Sequence, residues 1–306
     1  MAVLWVVRYD ESSVRRSVVA YETSTHPVSN LSILVELAPS GLEHMEIAQM
    51  NLLCAQGLSG AERLNIAGSL AQIDQMALRV RSETERHLYR FQRNPAEFEN
   101  SEGFFRMTLL MVVLAEDFQV HYASNKIAMT TSISDGFFAD SRYVFLHGLT
   151  EMKPQGTCSS LPVLQVAVGR RLSYPLKLVT TKGHLFVRWE DSRERFNFEA
   201  AGQGANRFPD DYYRHWPFDV TEEEVQAEGY LKSLTAPEEL AVFLSIRGMC
   251  WQAANRFAEA AESFREASRF WPGCRSFQLM KTQMEQQAHR SAGADAANPK
   301  PAESTP

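Results

Sequence analysis

A chain of 306 residues, 44% hydrophobic and 22% charged, has the balance of globular protein and is long enough to bury a core without disulfide or metal staples. Its formal net charge of −6, from 31 Lys and Arg against 37 Asp and Glu in interspersed order, argues against a nucleic-acid binder, which needs a basic face for phosphates. Four cysteines without a CxxC pair do not make a secreted disulfide framework, and no apolar run approaches the ~18 residues of a membrane span, so a reducing cytoplasm is the expected compartment.

The first stretch, 1–44, carries β-like patches at Ser17 to Tyr21 and Leu31 to Leu37, broken by Pro27, Pro39 and Gly41, and has no assigned role. Met1 to Val7 is apolar but runs into Arg8 and Asp10, without the basic start and small-residue cleavage site of a signal peptide. From Glu46 to Arg93 the pattern is helical, with Leu64, Leu70, Ile73, Met76 and Val80 at spacings near three and four or their multiples. Asn94-Pro95 is a break, and Ser101 is placed to cap a second, strongly apolar helix through Phe118. Asp140 or Ser141 is placed to open a third over Tyr143 to Leu149. Leu161 to Leu172 reads as a buried helix, followed by short strands at Lys177 to Thr181, Leu185 to Trp189 and Phe196 to Ala200. The class expected is therefore α+β.

Beyond Pro217 the chain turns helical again. Thr221 and Glu224 form a capping box that opens a helix to Leu234. In Leu244 to Pro272, residues Gly248, Trp251, Ala260, Phe264, Ala267 and Pro272 fall at the small, aromatic and proline positions of one tetratricopeptide repeat, which needs neighbouring helices such as Glu222 to Leu234 and Ser276 to Gln287. The residues from Ala292, rich in Ala, Pro and Ser, read as a disordered tail. The expected division is 1–44, an extension; 45–217, a core with a helical front; 218–290, the repeat-like segment; and 291–306, the tail.

Chemistry by a cysteine needs a thiolate, a base beside it and a group that orients the base. Cys158, in Gly156-Thr157-Cys158-Ser159-Ser160, lies just ahead of the buried helix, whose positive end favours a thiolate. Pro162 places the helix start near Ser159 to Leu161, with Cys158 at the cap. His184 begins a strand in which Leu185, Val187 and Trp189 share one face and His184, Phe186 and Arg188 the other. A turn near Ser192-Arg193 pairs Trp189 with Phe196 and Val187 with Phe198, because a one-residue slip would turn one apolar face outward. That register puts Glu199 diagonally across from His184 on the same face. Arg188 competes for Glu199 as an ion-pair partner, Asn197 shares the face and can also orient an imidazole, and Cys158 read alone is a small core residue. Cys54, Cys250 and Cys274 have no base near them in sequence and read as structural. The remaining histidines lack a metal-ligand spacing, and no phosphate loop or dinucleotide fingerprint occurs, so neither metal nor cofactor is expected.

Gly156-Thr157-Cys158, the Gly183-His184 strand and Glu199-Ala200 together resemble the three blocks of the transglutaminase-like superfamily, and most closely its SirB-type bacterial branch, from about residue 46 to 290. The resemblance implies a papain-like core, a Cys-bearing helix packed on an antiparallel sheet, followed by a tetratricopeptide tail. It implies Cys158 as nucleophile, His184 as its base and Glu199 as the orienting acid, in a hydrolase or acyl transferase acting on an amide or peptide-like bond. The superfamily most often has Asp followed by Pro and Thr where Glu199-Ala200-Ala201 stands, and no tryptophan lies near Cys158 to supply an oxyanion donor. The alternative function is a non-catalytic scaffold of the same fold that binds a protein or peptide partner through the helical tail.

Overall fold

The computed structural model describes residues 30–129, 136–199 and 206–297. The fold is mixed α+β, with helices around two small sheets. The front comprises α1 (Leu31–Glu36), α2 (Pro39–Leu42), α3 (Ile47–Cys54), α4 (Ile66–Arg93) and α5 (Glu102–Glu116). The Leu31 to Leu37 stretch, expected to be β-like, is helical instead. The Asn30 side chain accepts from the Ile33 N–H at 3.0 Å, and the resulting turn buries Leu34. Ser17 to Tyr21 lies outside the described residues. The helical stretch expected from Glu46 to Arg93 is split between α3 and α4, because Gly57 and Gly60 take φ of 78° and 90° in the connection, a region that favours glycine. Ser101 caps α5 as expected, its Oγ accepting from the Phe104 N–H at 2.9 Å.

A parallel pair, β1 (His121–Tyr122) and β2 (Gln155–Gly156), sets Tyr122 beside Gly156. The helix expected over Tyr143 to Leu149 is two 3₁₀ turns, Ser141–Tyr143 and Leu146–Leu149. The Asn51 side chain takes the Leu146 N–H at 2.9 Å, and a Cβ on Gly148 would lie 1.9 Å from the Arg142 carbonyl oxygen, so the chain folds back on itself there. Next come α6 (Leu161–Arg171) and the antiparallel sheet β3 (Leu176–Thr181), β4 (His184–Glu190) and β5 (Arg195–Phe198), with α6 packed on β3 and β4. The hairpin register is the expected one, Trp189 opposite Phe196 and Val187 opposite Phe198.

After α7 (Asp210–His215), α8 (Glu222–Glu228) opens on the expected Thr221–Glu224 capping box. It does not reach Leu234. Gly229 stops it with a left-handed φ of 66°, and the next residues cover the free edge of β3. There the Leu231 N–H donates to the Thr180 carbonyl and the Leu234 N–H to that of Leu178, both at 2.9 Å.

The tail helices are α9 (Ala236–Ala253), α10 (Phe257–Phe270) and α11 (Arg275–Ala297). Gly248 is required on α9, since a Cβ there would stand 2.7 Å from the Phe264 ring of α10. The stretch from Ala292, expected to be disordered, continues α11 to Ala297, where its Ala-rich composition suits a helix. α9 packs on α3, and one continuous apolar core takes in Leu34, Met50, Leu110, Leu164, Val187 and Phe243. Polar links reinforce that junction. Arg170 at the end of α6 forms a two-pronged ion pair with fully buried Glu239 of α9, at 2.5 and 3.0 Å. Arg247 donates to the carbonyls of Cys54 and Gln56 at 2.8 and 2.6 Å. Among the described residues no helix is long and apolar enough to cross a membrane.

Candidate active site

Cys158 sits in the turn between β2 and α6, and the chain is tied down on both sides of it. The Thr157 carbonyl accepts from Ser160 N at 3.1 Å and Leu161 N at 3.0 Å, winding the first turn around the cysteine. The Ser160 hydroxyl accepts from Thr157 N at 3.1 Å and donates to the Tyr143 carbonyl at 2.9 Å. Gly156 is needed for this closeness, as a Cβ would fall 2.5 Å from that hydroxyl. α6 begins at Leu161 with Pro162 in its first turn, as expected, but its N-cap is Ser160, so Cys158 stands two residues ahead of the cap position expected for it. Cys158 is 4% exposed.

His184 opens β4 directly after Gly183, whose φ of 73° makes the β3–β4 turn, with the Phe218 ring 2.8 Å from where a Cβ would project. Its Nε2 meets Glu199 Oε2 at 3.0 Å, and the Tyr213 hydroxyl donates to the same oxygen at 3.2 Å. The Glu199 N–H is itself fixed, donating to the Asn206 carbonyl at 3.1 Å. The Cys158 thiol lies close enough to the imidazole to help raise its pKa, and the two residues border one cavity. The edge of Trp216, 4.6 Å between ring centroids, and the face of Tyr213 hold the ring's plane. The structure therefore brings the three residues singled out in sequence into one chain of contacts.

The competing partners are engaged elsewhere. Arg188, fully buried, donates to Asn197 Oδ1 at 2.8 Å, to the Leu231 carbonyl at 3.0 Å and to Asp210 at 2.7 Å. Asn197 in turn donates to the Phe208 carbonyl and to Asp210, at 3.0 and 2.7 Å. Arg188 and Asn197 thus form a buried polar lock between the sheet and α7.

Burial pulls the His184 pKa down, but hydrogen bonds to Cys158 and Glu199, with the charges of both, outweigh it and raise the value from 6.5 to about 9. A value raised in the folded state stabilises the fold fully below pH 6.5, and this contribution is lost as pH rises through about 9. Thermal stability of the wild type is therefore expected to decline across that interval. His184→Gln, which cannot titrate, should flatten the decline; an unchanged pH profile would contradict the assignment.

The residue that sequence reasoning missed is Tyr122. Its phenol is buried without a hydrogen-bond partner of good geometry, yet it lies against both the main-chain N–H and the thiol of Cys158. Burial first, and then the charge of Cys158, raise its pKa, so it stays a neutral O–H donor. The Cys158 N–H lies against that phenol oxygen, while the turn's own bonds run from Ser160 and Leu161 to Thr157. An N–H and a phenol O–H thus lie together beside the sulfur. The nearest sequence signal is slight: a Tyr two residues after Val120, in an extended stretch following α5.

Cys54, Cys250 and Cys274 are buried apart from any imidazole, and burial pushes each thiol up to about 12. Among the described residues no cluster of His, Cys, Asp and Glu is suited to a metal ion. Set against protein-family models, curated proteins and solved structures, the chain matches none of them.

Proposed function

We propose that the protein is a cysteine-dependent hydrolase or acyl transferase acting on an amide or peptide-like bond, built on a transglutaminase-like, papain-like core of the SirB type with a tetratricopeptide-like tail. The observation that carries this reading is the placement of His184, whose Nε2 meets Glu199 at 3.0 Å and which borders one cavity with Cys158, the two raising its pKa together. Glu199 reaches the ring despite being one methylene longer than the more usual aspartate.

A protonated His184 beside the sulfur is the partner that a thiolate nucleophile requires at rest. The thiolate attacks the carbonyl carbon and forms the C–S bond while the carbonyl electrons move to oxygen. That oxyanion is received by the Cys158 N–H and the Tyr122 O–H. His184 gives its proton to the leaving nitrogen as the C–N bond breaks, then takes a proton from water or an amine that attacks the thioester. Glu199, steadied by the Tyr213 hydroxyl, keeps Nε2 engaged throughout, so that the proton moves at Nδ1.

Tyr122→Phe separates the steps. Acylation of Cys158 by an activated ester, followed as a burst of released phenol, is expected to fall by about 10²–10³-fold, the usual size of a lost oxyanion donor. Alkylation by iodoacetamide, which develops no oxyanion, should change no more than a few-fold. Equal losses in both reactions would remove Tyr122 from this role.

The rival reading, a scaffold that binds a partner protein or peptide through its tail, predicts that Cys158→Ala leaves cellular function intact while loss of residues 235–290 abolishes it. A Cys158→Ala phenotype at unchanged protein abundance decides against it.

A further inference from the structure

We infer that the cavity beside Cys158 receives the apolar acyl portion of the substrate, a medium- or long-chain or aromatic acyl group, and that the tail helices exist in large part to wall it. The inference rests on the acyl-transfer reading above and names the substrate class for that same site. The cavity measures about 290 Å³, near the lower end of small-molecule sites at ~300–1,000 Å³. Cys158 and His184 form part of its lining, so whatever fills it is continuous with the reacting carbonyl. Ile246 and Met249 of α9, Phe264 of α10 and Met280 of α11 supply tail walls, facing Phe137 and Leu185 of the core.

The polar groups in that lining are mostly committed to the protein itself. Thr181 Oγ1 donates to the Tyr213 carbonyl at 2.7 Å, and Ser245 Oγ to the Val242 carbonyl at 2.8 Å. Glu228 Oε2 accepts from Ser276 N at 2.9 Å and from Cys274 Sγ at 3.3 Å. A hydrophilic side chain entering this space would give up its water without regaining partners, whereas an apolar chain gains by leaving water. The Thr180 hydroxyl is buried without a partner, and Ser159 and Tyr230 also border the space.

The reaction balances with an ester probe. The Cys158 thiolate forms the C–S bond, p-nitrophenolate departs with the C–O electrons, and water then cleaves the thioester to a carboxylic acid and the free thiol. The test compares the acylation rate, per concentration of ester, for p-nitrophenyl octanoate and p-nitrophenyl acetate on the full chain, with iodoacetamide labelling of Cys158 as a parallel measure of the thiol. Octanoate is expected to lead acetate by on the order of a hundredfold, because its added methylenes leave water. Met249→Trp or Met280→Trp, each filling the cavity from a different helix, should abolish most of that lead. Acetate acylation should fall far less than octanoate acylation, and an unchanged thermal unfolding curve certifies the fold. If acetate acylates Cys158 and octanoate does no better, the acyl pocket is wrong while the cysteine chemistry stands. If neither ester acylates Cys158 and iodoacetamide labels it slowly, both readings fall together.

Discussion

Replacing His184 with alanine is expected to slow alkylation of Cys158 at neutral pH by about 10²–10⁴-fold, the range typical of a positioned acid or base. In the wild type the sulfur lies beside an imidazole whose pKa is raised to about 9, and removing it leaves a buried Cys158 without that positively charged neighbour. The chain carries its own controls. Cys54, Cys250 and Cys274, with thiols near pKa 12, should label slowly in both proteins, so peptide mapping of the adduct isolates the response of Cys158. A His184→Ala protein that alkylates at Cys158 as fast as the wild type would dissolve the pair.

The second large effect concerns the junction between core and tail. Arg170→Ala is expected to cost about 3–5 kcal/mol in unfolding free energy, the range for breaking one side of a buried ion pair. Glu239 has no exposure at all, and its burial already raises its pKa against the opposing pull of Arg170. Losing the guanidinium strands the carboxylate in the core and also frees the Leu176 carbonyl, which accepts from Arg170 Nε at 3.1 Å. The double variant Arg170→Met with Glu239→Leu should recover most of the loss, because well-packed apolar residues replace such pairs at little cost. Chemical denaturation measures both. A loss under about 1 kcal/mol for Arg170→Ala would mean the pair behaves as an exposed one.

This junction bears on function as well as stability. Arg170 leaves α6, the helix that Cys158 heads, while Glu239 begins α9, which supplies Ile246 and Met249 to the cavity. The ion pair therefore ties the helix that follows Cys158 to a helix that lines the cavity.

The parts of the site that were legible in sequence are those set by local rules. Alternating apolar residues on β4 and β5 permit one register, and that register puts Glu199 beside His184 across a short turn. The helix start at Leu161 follows from Pro162, though its cap is Ser160 and not Cys158, and Ser101 and Thr221 mark the starts of their helices. Helix ends were less legible. The stop at Gly229 depends on β3 needing its edge covered, a tertiary demand that the periodicity of Glu222 to Leu234 does not encode. Leu31 to Leu37, with its branched residues, satisfies either period, and only the Asn30 cap decides for a helix. Tyr122 was invisible for a different reason. The parallel pairing of β1 with β2 that sets it beside Gly156 joins two-residue strands far apart in the chain, too short to leave an alternating pattern. The cavity, assembled from strands, a loop and three helices, has no sequence signature.

The central physical assertion is that one imidazole is shared between a thiol and a carboxylate. Side-chain NMR of His184 across pH reads this directly. The wild type is expected to titrate near pH 9, and Cys158→Ala should bring the midpoint down, since the sulfur is one of the groups that raise it. A wild-type midpoint at or below 6.5 that does not respond to Cys158→Ala would contradict the shared site.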